Sequence, residues 1–442
     1  MRDILVLAAV YASLPLILFS PFSGLMVYSW LAYMRPQDLG WGMTKVMPLS
    51  EWVAIALAVG LVLTIGRERL LAFRPQTILL LLLCGWISVT VMTALIPELS
   101  AEIYGNYWKA ILIGVLTTGL VRDKHRLRLL LLLIAFSIGF LGAKHGIHGL
   151  VRGGARFDHG PGGLMNDNNT FALALNMALP LLVGFATIDR SKLVRWTAAG
   201  MAMLSMLTIF FTFSRGGLLT LGVVACLLVW RTRQRALAAL ILVLGIGGFV
   251  MLTRGEVQDE YLERTGTIQE YEEDRSALGR LDAWTTSWRV FRDYPLTGVG
   301  PNNLSVVHAR YSPDPERFRV SHNSYLQLLS ESGWPACALF VALLLTTLWR
   351  LELLRRTTAS VWMQTQAHML QIALAGYMVG AFFLNMAYFD LIYHLVGVAV
   401  SLELAAAAEA AAGGADAAPA AVAEELPWWK RPPQPAGAPG RA

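Results

Sequence analysis

The chain has 442 residues, of which 55% are hydrophobic and only 15% are charged. A water-soluble protein of this length keeps roughly a quarter of its residues charged, so the composition excludes an ordinary soluble protein and indicates a surface that meets lipid. The formal net charge is +6, and the three cysteines stand singly in apolar runs, which argues against a disulfide framework and a thiolate metal site.

Apolar segments recur along the chain as far as residue 405. A membrane-spanning helix needs about 20 such residues, so the pattern predicts about twelve crossings. We interpret the first segment, broken near Ser20–Gly24, as a signal anchor that crosses once; two crossings stay open and would place the N-terminus outside. The predicted spans are 4–34, 51–66, 77–96, 107–121, 129–147, 170–188, 195–213, 216–230, 236–253, 334–349, 364–385 and 388–405.

Short basic connectors alternate with the spans and predict the orientation. They are Arg67–Arg74, Arg122–Arg128, Arg190–Arg195, Arg231–Arg235 and Arg350–Arg356. The positive-inside rule places all of them in the cytoplasm. Their regular placement favours orientation signals over nucleic-acid patches, so no nucleic-acid partner is expected. The segments expected outside are 35–50, 97–106, 148–169, 214–215 and 254–333.

The predicted fold class is therefore all-α, a polytopic membrane protein with a large periplasmic helical loop. A first set of transmembrane helices occupies 1–253, the loop domain 254–333, and the last transmembrane helices 334–405. Residues 406–442 are rich in Ala, Pro and Gly and predict a disordered cytoplasmic tail.

Arg215 joins two apolar runs with almost no loop, within Ser214-Arg215-Gly216-Gly217. An ionisable group at such a depth is a functional hypothesis, since an unpaired charge there is costly. The planar guanidinium matches phosphate oxygens, and the glycines permit a sharp turn or a close approach. An arginine that merely snorkels to the interface is an equally good interpretation.

The long outer segment predicts an amphipathic helix from about Ser276 to Arg292, in which Arg280, Trp284 and Trp288 share one face. The stretch 295–303 predicts a tight turn.

His322 precedes a predicted helix for which Asn323 or Ser324 is a good N-cap. The positive helix end disfavours imidazolium, and a general base must be neutral. On the residues alone, a capping or packing histidine is the favoured interpretation.

Softer candidates lie in the other outer segments. Lys109 lies just inside the outer end of a span and either joins a phosphate site or snorkels. The 148–169 loop carries Arg156 and then an Asn/Asp run at 166–169 that caps the next helix or binds sugar hydroxyls.

These residues also carry a family resemblance. Ser-Arg-Gly at 214–216, Arg280 with Trp284, Pro-Leu-x-Gly-Val-Gly at 295–300 and His-Asn-x-Tyr-Leu-Gln at 322–327 occur in the order seen in the O-antigen ligase/polymerase superfamily, which the chain resembles over nearly its whole length. The opening, with Tyr33-Met34-Arg35-Pro36-Gln37, is similar to the branch described as exosortase-associated O-glycosylation ligases.

The resemblance implies a GT-C-like glycosyltransferase in the bacterial inner membrane, with its active site facing the periplasm and no metal or other cofactor. Its donor would be a glycan on undecaprenyl diphosphate. By the same resemblance His322 matches the catalytic histidine, and Arg215 and Arg280 match the arginines proposed to hold the diphosphate. The possible supporting residues are Ser214, Asn323, Tyr325, Lys109 and Arg156.

Three functions remain open at this point. The first is an O-antigen ligase that transfers the glycan to lipid A-core oligosaccharide. The second keeps the chemistry but transfers to a growing glycan, as a polymerase, or to a protein side chain, as an O-oligosaccharyltransferase. The third is a polysaccharide transporter or flippase, for which inverted repeats and helices broken at the midplane would be expected.

Overall fold

The computed structural model describes residues 2–40, 42–153, 157, 159–163, 165–230 and 275–413. The predicted span 236–253, the connector 231–235 and residues 414–442 lie outside this described part. Within it, seven helices are long and apolar enough to cross a membrane. The protein is therefore a mostly helical, multi-pass membrane protein.

The helices account for most of the described chain. Their bounds are α1 (Arg2–Phe19), α2 (Pro21–Tyr33), α3 (Met43–Val46), α4 (Leu49–Leu63), α5 (Pro75–Met92), α6 (Pro97–Leu120), α7 (Lys124–Val151), α8 (Asn168–Ile188), α9 (Lys192–Phe211), α10 (Arg215–Trp230), α11 (Arg275–Asp293), α12 (Leu304–Tyr311), α13 (Ser324–Thr357), α14 (Val361–Gly380) and α15 (Asp390–Gly413).

Two short features complete the fold. A 3-10 turn spans Pro36–Leu39, and strands β1 (His159–Gly162) and β2 (Met165–Asp167) form an antiparallel hairpin. This hairpin is a small departure from the predicted all-α class. A second difference is at the C-terminal end, where α15 continues through residues 406–413 that were predicted to begin the disordered tail.

The first apolar segment forms a helical hairpin and does not cross once as expected. Thr44 Oγ1 donates to Asp3 Oδ1 at 2.6 Å, so the start of α1 lies beside the chain that follows α2. At the turn between the helices, the Arg126 guanidinium lies 5.2 Å from the Phe22 ring centroid. The expectation of one crossing is therefore corrected: both ends of the pair lie at one end of the bundle and its turn lies at the other.

The basic connectors meet at one end of the bundle. Arg126 pairs with Glu68 at 3.1 Å and Arg128 with Asp189 at 2.8 Å, which ties three connectors together. The start of the fourth, at residue 350, and Lys124 reach carboxylates in the last turns of α15: Arg350 pairs with Glu403 at 2.5 Å and Lys124 with Glu409 at 2.9 Å. This arrangement matches the predicted alternation of connectors.

The most buried helices are α8 and α15, whereas α1 lies mostly at the surface. α15 packs against α6 so closely that a Cβ added to Gly397 would lie 2.2 Å from the carbonyl oxygen of Gly114. Small residues permit such backbone approach between membrane helices.

The 295–300 turn packs against a break in α13. Gly333 has φ 75°, and Pro335 lacks the N–H that would bond the carbonyl of Glu331. The Gly300 N–H donates to that carbonyl at 2.9 Å, and the Val299 N–H donates to Ser330 O at 3.0 Å. The Trp334 N–H in turn donates to Pro295 O at 2.9 Å. The outer turn thus satisfies the backbone groups that the break exposes, as a membrane environment requires.

Candidate active site

Four segments from distant parts of the chain meet at the end of the bundle opposite the basic connectors. They are residues 166–170, 211–217, 319–324 and 381–387. Asn168 Nδ2 donates to Thr212 O at 2.9 Å, which joins the first two segments. The Ser324 N–H donates to Ala381 O at 2.8 Å, which joins the last two. A Cβ added to Gly216 would lie 3.2 Å from Phe383 Cβ, so the two halves also touch each other.

Arg215 is the first residue of α10 and is half-buried. The sharp turn before it is made by Phe213, whose φ is 52°, and not by the glycines. Gly217 instead permits a close approach, because its added Cβ would lie 2.7 Å from Ala172 Cβ on α8. Ser214 caps the helix by accepting from the Gly217 N–H at 3.0 Å. The local sequence therefore fixes where the Arg215 side chain starts.

His322 immediately precedes the N-cap of α13. Asn323 Oδ1 accepts from the Tyr325 and Leu326 N–H groups at 3.0 and 3.1 Å, which confirms the predicted cap. His322 itself has φ 44°, a left-handed conformation that is uncommon outside glycine. Such a residue costs about 1–3 kcal/mol, and residues of this kind cluster at functional sites.

The segments on either side hold His322 in this conformation. Ser321 Oγ donates to Asn385 Oδ1 at 2.5 Å, and Ser324 Oγ donates to Leu384 O at 2.8 Å. Both contacts are with the loop between α14 and α15. The imidazole is therefore positioned by tertiary contacts as well as by its own helix.

Charged neighbours from two other segments and from its own segment act on the imidazole. Burial lowers the pKa of His322 below its usual range, and the positive charge of Arg280 lowers it as well. The carboxylate of Asp167 raises this pKa, and the charge of Arg319 lowers it. The net direction is downward, which keeps the imidazole neutral at physiological pH and suits it to act as a base.

Arg319 is a component of this site that the sequence did not single out. Its guanidinium lies across Gly279, occupying the place where a Cβ would project from α11 beside Arg280. In the sequence, the only indication that Arg319 belongs to the site is its position three residues before His322. The predicted helix carrying Arg280 is confirmed as α11, with Ala283 and Val290 buried and Trp288 half exposed.

The predicted supporting residues have distinct places. Ser214 and Asn323 are helix caps, and Ser214 Oγ also donates to Asn169 Oδ1 at 2.7 Å. Tyr325 donates its hydroxyl to Met378 O at 3.0 Å and so braces α13 against α14. Lys109 lines a separate cavity near Arg35, and Arg156 lies outside the described residues.

Glu331 is buried behind the site. Its Oε2 accepts from Tyr388 Oη at 2.9 Å and from Gln327 Nε2 at 3.3 Å. The Gln327 side chain also accepts from the Ala387 N–H at 3.2 Å. These contacts join α13 to the loop that packs beside Arg215.

Comparison with known families is consistent with this geometry. Residues 1–173 match a family of unknown function (DUF5935), and a search of curated proteins finds no match. Residues 200–341 match the family described as O-Antigen ligase, and that match contains Arg215, Arg280 and His322. The similarity to the exosortase-associated branch stays a prediction. The match over residues 200–341, about a third of the chain, supports the O-antigen ligase/polymerase superfamily of membrane proteins.

Proposed function

We propose that this protein is a glycan ligase that transfers a polysaccharide from undecaprenyl diphosphate to a hydroxyl of lipid A-core oligosaccharide. The observation that carries the proposal is that the Arg319 guanidinium lies against Gly279, next to Arg280 on α11, and that both arginines act on the His322 imidazole. A neutral base beside cationic groups suits a reaction that removes a proton at one point and develops negative charge at another.

The proposed reaction is a single displacement. His322 takes the proton of the acceptor hydroxyl, the hydroxyl oxygen bonds to the anomeric carbon, and the bond from that carbon to the diphosphate oxygen breaks. The proton ends on the imidazole, the electron pair leaves with the diphosphate, and the anomeric configuration inverts. General base catalysis of this kind contributes about 10²–10⁴ in rate.

Arginine charge supplies the stabilisation of the leaving group in this scheme. Arg215 and Arg280 hold the diphosphate through paired N–H donors that match phosphate oxygens. Arg319, next to Arg280, adds a third cation. The scheme needs no divalent ion, so a chelator is expected to leave the transfer rate unchanged.

The position of the site supports a periplasmic reaction. The basic connectors, including Arg126 and Arg128, lie at the other end of the bundle. Cytoplasmic loops carry the excess of basic residues. On that rule, the connector end faces the cytoplasm and His322 faces the periplasm.

The proposal is tested by a transfer assay with the purified full chain in lipid nanodiscs. The donor is undecaprenyl-diphosphate glycan, and lipid A-core, free glycan and an acceptor protein are offered together. The expected result is a glycan-linked lipid A-core, identified by its mass and missing from the His322→Ala variant. A product on glycan or protein would replace the ligase with a polymerase or a protein transferase. In proteoliposomes, movement of the donor across the membrane with no product would favour transport.

A further inference from the structure

A second cavity, of about 450 Å³, lies at the same end of the protein as His322. Its walls come from α2 and the segment after it, from α6, and from the start of α15. The polar side chains that line it include Tyr28, Arg35, Gln37, Lys109, Asp390 and His394. Except for Asp390 and His394, these residues belong to the part of the chain that matches the family of unknown function.

Two of the lining residues, His394 and Gln37, carry buried polar atoms without a hydrogen-bond partner among the described residues. His394 is 1% exposed, and its Nδ1 is 2.9 Å from Tyr33 Oη. Its Nε2 is buried and has no partner among the described residues, and the same holds for Gln37 Oε1. Buried polar atoms in native proteins are normally paired, so the lining has hydrogen-bonding capacity that the described side chains do not use.

The charges around the cavity are balanced, in contrast to the cationic surroundings of His322. Arg35 and Lys109 are matched by Glu51 and Asp390, and Arg35 already pairs with Asp38 at 2.5 Å. A diphosphate would favour a surplus of cations. Sugar hydroxyls both donate and accept, and they therefore suit a mixture of carboxylate, ammonium, amide and imidazole groups.

A smaller cavity near His322 adjoins this one. The smaller cavity, of about 150 Å³, is lined by Ser321, the neighbour of His322, and by Glu331. Asn106, Tyr388 and Phe389 line both cavities. The larger cavity therefore lies next to a pocket whose lining includes the neighbour of the proposed base.

We propose that the larger cavity is a carbohydrate-binding site that holds sugar residues of one of the two glycans, next to but separate from the diphosphate site. This inference rests on the proposed ligase function and assigns a role to the N-terminal region: it binds glycan, while the O-antigen ligase region carries the chemistry. Lys109, predicted as a possible diphosphate ligand, belongs to this glycan site instead.

The test measures binding of two oligosaccharides to the full chain in nanodiscs by calorimetry. One is released by mild acid from the undecaprenyl-linked glycan of the strain that makes the protein, and the other from its lipid A-core. The variants are Lys109→Gln and Asp390→Asn, in which asparagine still caps a helix. Lys45→Gln is the matched control, because Lys45 is exposed and does not line the cavity.

The expected result is at least tenfold weaker binding of one oligosaccharide by both variants, with the control unchanged. The oligosaccharide affected identifies the donor or the acceptor as the source of the sugar. Binding of undecaprenyl diphosphate without sugar should stay at the wild-type level in both variants.

Three results would overturn the proposal: a wild-type protein that binds neither oligosaccharide, variants that bind both as well as wild type does, or variants that lose undecaprenyl diphosphate. The last result would place the diphosphate in this cavity. Failure of the ligase function is a different observation, namely no transferred product in the assay, and it leaves these binding results unaffected.

Discussion

Arginines at the connector end of this membrane bundle have different surroundings from the arginines beside His322. At the connector end, Arg126, Arg128 and Arg350 each pair with a carboxylate from another element. At the other end, Arg280 and Arg319 gather around an imidazole and lower its pKa. Charge pairs join elements of the fold, and cations close to a base disfavour its protonation and suit an anionic ligand. The comparison separates arginines that join elements of the fold from arginines that we propose serve the reaction.

The largest effect is expected from removing the base. His322→Ala should lower the rate of transfer by about 10²–10⁴, because general base catalysis contributes that much. His159→Ala is the matched control, since His159 is exposed at the same end of the protein. Initial rates with both substrates in excess measure the loss. A His322→Ala protein that transfers at nearly the wild-type rate would leave the histidine as a packing residue.

The second prediction compares the same substitution, arginine to lysine, at one position from each end of the bundle. Arg215→Lys should reduce transfer by about 10–100-fold, because losing a charge-assisted hydrogen bond costs roughly 1.5–3 kcal/mol. Arg128→Lys changes the same groups at the connector end, where Arg128 holds Asp189 with two bonds of 2.9 Å. It should lower the midpoint of thermal unfolding and leave the transfer rate near wild type. Equal rate losses in both variants would contradict the distinction between the two ends.

The charges around His322 predict shifts of opposite sign in the pH profile. The base is active when neutral, so activity is lost as pH falls through its pKa. Arg280 lowers this pKa, so Arg280→Gln should move the acidic limb of kcat/KM to higher pH. Asp167 raises it, so Asp167→Asn should move the limb to lower pH. Shifts in the same direction would show that these charges do not act on the catalytic group.

The smallest effect tests the position of Arg319. A methyl group at Gly279 would meet its guanidinium, so Gly279→Ala should displace that side chain and lower activity a few-fold. The fold should be unchanged or stabilised by up to about 1 kcal/mol, because alanine favours a helix over glycine. Gly222→Ala is the control, since an added Cβ there meets no atom within 4 Å. We expect the transfer assay to show reduced activity and thermal unfolding to show a stability no lower than that of the wild type. Full activity would argue against a role for Arg319.

Local signals predicted several parts of the site. The Asn323 cap and the helix carrying Arg280 are confirmed because both depend on residues close in the chain. Arg319 gave no such signal, because its role depends on a glycine 40 positions earlier, at Gly279. The position of Lys109 in the wall of a cavity that His394 also lines likewise depends on how α6 packs against α15.

The N-terminal segment shows the same limit at the level of the fold. Hydrophobicity over 4–34 is compatible with one tilted crossing or with two short helices. The contacts of Asp3 with Thr44 and of Phe22 with Arg126 show that this segment forms a hairpin of two helices. These partners are far apart along the chain, so the residues 4–34 alone do not reveal them.

The amino-acid sequence determined that this protein is a bundle of membrane helices, which ends of those helices are basic, and which short motifs mark its family. Those properties follow from composition and local spacing, because lipid tolerates few charges and helix caps act over single turns. The tertiary structure alone decided which cations surround His322, how the outer turn completes the broken α13, and that a second polar cavity adjoins the site. Each of these depends on contacts between segments far apart in sequence, and packing of the whole bundle sets such contacts.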